Sequence, residues 1–141
     1  MWPQTFPERL TAWAELRAKV QTVPLEQALS TVNSWWFCAP WCPYHLHWDD
    51  QDTWPDPWQL LDDNMYCSLA RSLGIMYTII MLERPDLQDA VIIESDSDNL
   101  VLVCQKKYIL NWDAGTVVNT SPEIIKSRRQ VSQDTIKQQL R

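Results

Sequence analysis

The side chains best suited to covalent or metal chemistry are four cysteines and two histidines, and Cys38, Cys42, His45 and His47 stand close together. Thiolates and imidazoles are the donors zinc prefers, yet their spacing fits neither a finger nor a knuckle. Pro40 and Pro43 stiffen the backbone between them, and along an extended chain His45 and His47 point to opposite sides. We therefore expect no metal; if one bound, these four would be its candidate ligands. Asp49, Asp50 and Asp52 alternate as calcium ligands do, but the glycine and distal glutamate that shape such loops are missing, so they are expected to be solvated charge. Cys67 lies in a helical stretch, and a thiol on a helix facing a polar partner on a later strand is a known way to build a nucleophile. Because such sites assemble in space, Cys67 or Cys42 with His45 or His47 is an alternative that linear order leaves open.

Composition excludes other chemistries. The chain has 141 residues, is 45% apolar and 21% charged, and suits one soluble domain. Gly74 and Gly115 are its only glycines, too few for a loop whose bare amides cradle a phosphate, so nucleotide-dependent chemistry is not expected. A net charge of −6 argues against nucleic-acid binding, which draws on excess Lys and Arg. The charge is uneven: Val20 to Ala70 holds no Lys or Arg, whereas the segment from Lys106 onward is basic. No signal peptide is expected, since the start lacks a basic region followed by an apolar run. No stretch reaches the roughly 18 apolar residues of a membrane span. The thiols are expected to be reduced and the protein made in a cytoplasm.

The elements that would position these groups follow from periodicity. Pro7 to about Thr22 predicts a helix with Leu10, Trp13, Leu16 and Val20 on one stripe; a second opens at Pro24 and ends at Pro40. Six of nine tryptophans fall between Trp35 and Trp58, and the stretch Ala39 to Pro55 is expected to be an irregular, Trp-, Pro- and Asp-rich loop. So aromatic a segment must cap the core or be covered by another chain. Asp56-Pro57 opens a helix running through Leu60, Leu61, Met65, Leu69 and Leu73 to a stop at Gly74. The apolar, β-branched run Ile75 to Leu82 reads as a central strand. An antiparallel meander follows in Ala90 to Glu94, Leu100 to Cys104 and Tyr108 to Trp112, with a turn at Asp113-Ala114-Gly115 and a short strand at Thr116 to Val118. Thr120-Ser121-Pro122-Glu123 opens a basic C-terminal helix carrying Ile124, Ile125, Val131, Ile136 and Leu140. The expected fold class is α+β: N-terminal helices, a central helix, a small antiparallel sheet of about four strands and a C-terminal helix. The expected divisions of the single domain 1–141 are 1–38, 39–55, 56–119 and 120–141.

The stretch Asp56-Pro57-Trp58 to Gly74-Ile75, with its ending Arg71-Ser72-Leu73-Gly74-Ile75, then Leu100-Val101-Leu102-Val103 and Tyr108 to Asp113, resembles the transglutaminase-like core of the papain-like group. The resemblance implies a nucleophilic cysteine at the first turn of the helix, a histidine opening the second following strand and an aspartate closing the third. Carried onto this chain, those positions fall near Trp58 or Gln59, near Asp98 or Asn99, and on Asp113; Cys67 falls in mid-helix, away from the helix N-terminus that activates thiols. It therefore implies the fold without its active site. The chain as a whole, with Trp35-Trp36-Phe37, the run Trp41 to Asp50 and Trp54-Pro55-Asp56-Pro57-Trp58, resembles small structural proteins of contractile-tailed bacteriophages. This implies a virion component of the tail baseplate or neck, assembled in the host cytoplasm, with neighbouring virion proteins as partners.

Together these give a non-enzymatic assembly protein in a hetero-oligomer, with no cofactor, no nucleic acid and no membrane. Its contact residues would be Trp41, Tyr44, His45, His47, Trp48 and Trp54, with aspartates as a polar rim. Trp35, Trp36 and Trp58, on helices, are expected in the core. The alternatives are a cysteine-dependent hydrolase or transferase of transglutaminase-like type, and a carbohydrate or peptide binder using exposed tryptophans.

Overall fold

A computed structural model describes residues 2–43, 45–95, 98–113, 116–119 and 127–140. Tyr44, the turn at Ala114-Gly115 and the expected helix start Thr120 to Glu123, with Ile124 and Ile125, lie outside them. Helix α1 (Phe6–Val20) has Pro7 in its first turn and the Thr5 hydroxyl capping Glu8 N–H; Trp13, Leu16 and Val20 are buried. Helix α2 (Leu25–Phe37) buries Ala28, Leu29, Val32 and Trp36. A short 3-10 segment (Trp48–Thr53) precedes α3 (Pro57–Asp63), where the Asp56 carboxylate caps Gln59 N–H at 2.8 Å.

The largest departure from expectation follows. The predicted helix through Leu73 is two helices, because Asn64 takes a left-handed conformation (φ 56°) that ends α3 and the chain restarts as α4 (Ser68–Leu82). Gly74 is no stop, and Ile75 to Leu82 is not a strand but the second half of α4. Thirteen of the 15 residues of α4 are buried. A helix enclosed on all sides is apolar on all sides, so it shows the same continuous run as a buried strand.

Gly74 is there for packing. A Cβ built on it would lie 2.6 Å from the ring of Trp36, whose indole crosses α4 at that point. Gly74→Ala is expected to destabilise the protein by about 1–3 kcal/mol despite the better helix propensity of alanine. Urea denaturation checks this, and combining it with Trp36→Leu should cost less than the sum of the single changes.

Among the described residues the sheet has five antiparallel strands in the order β4-β3-β2-β1-β5: β1 Val91–Glu94, β2 Asn99–Val103, β3 Tyr108–Asp113, β4 Thr116–Asn119 and β5 Arg129–Ser132. Four match the expected meander. The fifth corrects the C-terminal segment: Arg129 to Ser132 adds a strand to the free edge of β1, and among the described residues beyond it Gln133–Gln139 form a helix, α5, capped by Ser132. The polar sequence Arg-Gln-Val-Ser hid it, since an edge strand burying one residue, Val131, carries almost no hydrophobic signal. Alternate strand residues separate cleanly. Ile92, Val101, Val103 and Leu110 join the helical core, and Val91, Ile93, Leu100, Leu102 and Ile109 form a second cluster.

The Trp-rich loop is tied down from within. Cys42 N–H donates to Tyr66 O and Tyr66 N–H to Pro40 O, pairing the chain around Trp41 with the α3–α4 connection. Trp48 and Trp54 meet edge to face, with ring centroids 5.5 Å apart, and the Trp54 indole donates to His47 O.

Candidate functional site

Cys67 is the residue that opens α4. Its backbone is extended, Arg71 N–H donates to its carbonyl, and its sulfur accepts the Ala70 N–H at 3.4 Å. The mid-helix placement is thus corrected, as is the helix-start position: the central helix begins beside a cysteine, not at Trp58 or Gln59. The Ser68 and Leu69 amides that follow have no preceding turn to donate to.

The start of β2 abuts this turn. Asn99 N–H donates to the Ser68 hydroxyl at 3.0 Å, and the Asn99 carbonyl accepts from the Ser72 hydroxyl at 3.0 Å. The Asn99 side-chain oxygen accepts the Trp48 indole N–H at 2.6 Å. At the expected histidine position the chain therefore carries an amide already engaged. On β3 the side chain that reaches α4 is Asn111, not Asp113. Its amide nitrogen donates to Ser68 O, Ser72 Oγ and Asn99 O at 2.8–2.9 Å, while Asp113 is exposed. Asn111 sits at φ 68°, a left-handed conformation asparagine tolerates, and its backbone N–H donates to Asn33 Oδ1. Asn33 in turn donates to Asp113 O, which ties α2 to the end of β3.

Between the loop, α4 and the sheet lies a cleft of about 470 Å³, lined by Trp41, His47, Trp48, Cys67, Ser68 and Asn99, with Asp49, Glu94, Asp98 and Arg129 also on its walls. Arg129 pairs with both Asp49 (2.7 Å) and Glu94 (2.9 Å), clamping the 3-10 segment to the sheet edge, and lies over the Trp48 ring. Arg71, one turn beyond Cys67, stacks on Phe37 at 4.2 Å and lies 5.4 Å from the Trp41 ring. Burial pushes its guanidinium below the ordinary arginine range, and the neighbouring Cys67 acts in the opposite direction.

The structure thus brings Cys67 and His47 to one cleft. Cys38 and Cys42 do not line it. No group of three or more His, Cys, Asp or Glu is placed to hold a metal ion among the described residues, Cys38, Cys42, His45 and His47 included. Of the expected contact tryptophans, Trp41 is 59% exposed and Trp54 half-buried, but Trp48 is buried because its indole serves the cleft wall. His45 is half-buried and His47 exposed. The core assignment fails for Trp58, which is 50% exposed: it occupies the outer face of α3, whose inner face is Pro57, Leu60 and Leu61. Trp36 is buried and Trp35 half-buried; their rings meet edge to face, and both lie tilted against Trp2. Asn111 and Arg129 were missed; the one sequence signal was an asparagine interrupting the apolar run Tyr108-Ile109-Leu110.

No family model matches the chain, and no curated protein matches it in sequence. Among solved structures it is similar to Legionella pneumophila LapG in its calcium-bound form, with a TM-score of 0.71 at 15% identity, over 92% of this chain and 77% of that one. At that identity the likeness shows the fold, and the fold is transglutaminase-like.

Proposed function

We propose that the protein is a cysteine-dependent hydrolase or transferase acting on an acyl group, with Cys67 as nucleophile and His47 as proton acceptor. The observation that carries this is the position of Cys67 at the N-terminus of a buried helix, on the wall of a cleft that His47 also lines. In the proposed reaction the Cys67 sulfur bonds to the substrate carbonyl carbon and its proton passes to the His47 imidazole. The carbonyl oxygen gains negative charge beside the Ser68 and Leu69 amides, where the helix N-terminus is positive. Collapse expels the leaving group with the proton from His47, and water or an amine then takes the acyl group from sulfur.

Iodoacetamide labelling at neutral pH, with the four cysteines resolved by mass spectrometry, tests this. Cys67 is expected to react faster than exposed Cys38, and His47→Ala to lower turnover of a p-nitrophenyl ester about 10²-fold. Fastest labelling at Cys38 with Cys67 untouched would overturn the proposal.

A second reading is favoured by two observations: Asn99 stands engaged at the strand start where a base would be needed, and Cys67 is only 5% exposed. On this reading the domain is a non-enzymatic assembly piece, a virion component whose exposed Trp41, Trp58 and Trp112 meet neighbouring proteins. It expects uniformly slow thiols and no ester turnover in the same experiment.

A further inference from the structure

Asn99 opens β2 on the wall of the cleft, and all but one of its polar atoms are spent. Its backbone N–H donates to the Ser68 hydroxyl at 3.0 Å, and its carbonyl accepts from the Ser72 hydroxyl at 3.0 Å and the Asn111 amide at 2.8 Å. Its side-chain oxygen accepts the Trp48 indole N–H at 2.6 Å. An indole nitrogen only donates, so the two ends of the Asn99 amide are not interchangeable: the oxygen is turned to Trp48, and the nitrogen is the end left over. That nitrogen has no hydrogen-bond partner among the described residues. Two carboxylates on the same wall are committed elsewhere. Glu94, the cross-strand neighbour of Asn99, gives both oxygens to Arg129, and Asp49 pairs with the same guanidinium.

Alternation along β2 puts the Asn99 side chain on the sheet face it shares with Val101 and Val103, the face packed on the helices. Ser68, which holds the Asn99 backbone, follows Cys67 at the start of α4, so the unspent amide adjoins the turn that carries the thiol. Donors fixed by so many contacts need little reorganisation when an acceptor arrives. The wall carries Asp49, Glu94 and Asp98 against one arginine, which suits an uncharged acceptor and disfavours an anion. Trp41, exposed on the same wall, offers a ring face to a flat amide group.

We infer that Asn99 is the carbonyl-binding residue of the cleft, donating its side-chain N–H to the carbonyl oxygen of an uncharged amide, either a peptide bond or a primary carboxamide. Where a base would open the strand, this chain carries a neutral donor. The inference rests on this cleft being the binding site and deepens the acyl-group reading, to which it adds a side-chain donor, without requiring Cys67 to be nucleophilic.

Heteronuclear NMR of the isotope-labelled full chain tests it. The Asn99 side-chain NH2 pair is identified by its proximity to the Trp48 indole proton and its absence in Asn99→Asp. N-acetylalanine methylamide stands for a peptide bond and propionamide for a primary carboxamide. A saturable downfield shift of the NH2 pair is expected with at least one of them, and the probe that produces it assigns the source of the carbonyl. Propionate should produce none. An NH2 pair unmoved by both amides, or moved more by propionate, would overturn the inference.

Asn99→Asp keeps an oxygen for Trp48 and removes only the donor. It is expected to abolish the response of the Trp48 indole resonance to both amides and to lower p-nitrophenyl ester turnover about 10²-fold. Turnover is compared on the plateau above the His47 titration, where a shift of the imidazole drops out. If the variant does not fold, the wild-type titration decides alone. Amide-dependent shifts at Asn99, with no ester turnover and Cys67 inert to iodoacetamide, would sink acyl transfer and leave the carbonyl site standing. Turnover indifferent to Asn99→Asp, with an unmoved NH2 pair, would do the reverse.

Discussion

Thr78→Val is expected to lower the stability of the fold by about 2–5 kcal/mol, although it exchanges one hydroxyl for a methyl of similar size. Two tryptophans on different helices, Trp13 of α1 and Trp36 of α2, each donate an indole N–H to the Thr78 hydroxyl at 2.9 Å, and that hydroxyl donates to Gly74 O at 2.8 Å. One side chain on α4 thus satisfies both of the largest buried rings. Valine would strand both indole N–H groups where water does not reach, each at about 1–3 kcal/mol. Urea denaturation measures the loss, and Thr78→Ser, which keeps the oxygen, should retain most of the stability. A loss below about 1 kcal/mol for valine would mean that the indoles find other acceptors, and the account of the core would be wrong.

Asn111→Leu is expected to cost about 3–5 kcal/mol and, unlike Thr78→Val, to disturb the cleft directly. Two contributions add. Leucine at φ 68° is strained in a way asparagine is not, and the acceptors at Ser68, Ser72 and Asn99 lose their shared donor. Asn111→Gly separates them, since glycine accepts the dihedral angle but removes the amide; it should recover about 1–2 kcal/mol of the loss. Because Asn111 binds the first turn of α4 to the start of β2, either variant should narrow the labelling difference between Cys67 and the other cysteines. Unchanged selectivity at Cys67 would show that the helix start is held without it.

Much of this architecture was legible from local rules. Asp56 caps a helix with proline in the first turn, as its order with Pro57 predicts, and the strands from Val91 to Asn119 alternate or run apolar between short polar links. Cys67 was misplaced because a four-residue break between α3 and α4, built on a left-handed asparagine, carries neither proline nor glycine. The thiol itself serves as the cap, a task usually given to Ser, Thr, Asp or Asn, so the usual start signal was missing. The tryptophan loop was expected to be a surface for a neighbour. Trp41 stays exposed, Trp54 is half-buried with its indole on His47 O, and Trp48 is buried with its indole on Asn99.

By itself the sequence determined the element types wherever periodicity and capping chemistry agree, the α+β class, and the exclusion of phosphate-cradling loops by the scarcity of glycine. Only the tertiary structure decided that Ile75 to Leu82 is helical, that Arg129 to Ser132 joins the sheet, and that Cys67 and His47 line one cleft. The physical reason is common to all three. A helix buried on every side loses its period, an edge strand borrows its stability from the neighbour it pairs with, and a site made of residues far apart in the chain exists only once packing has brought its walls together.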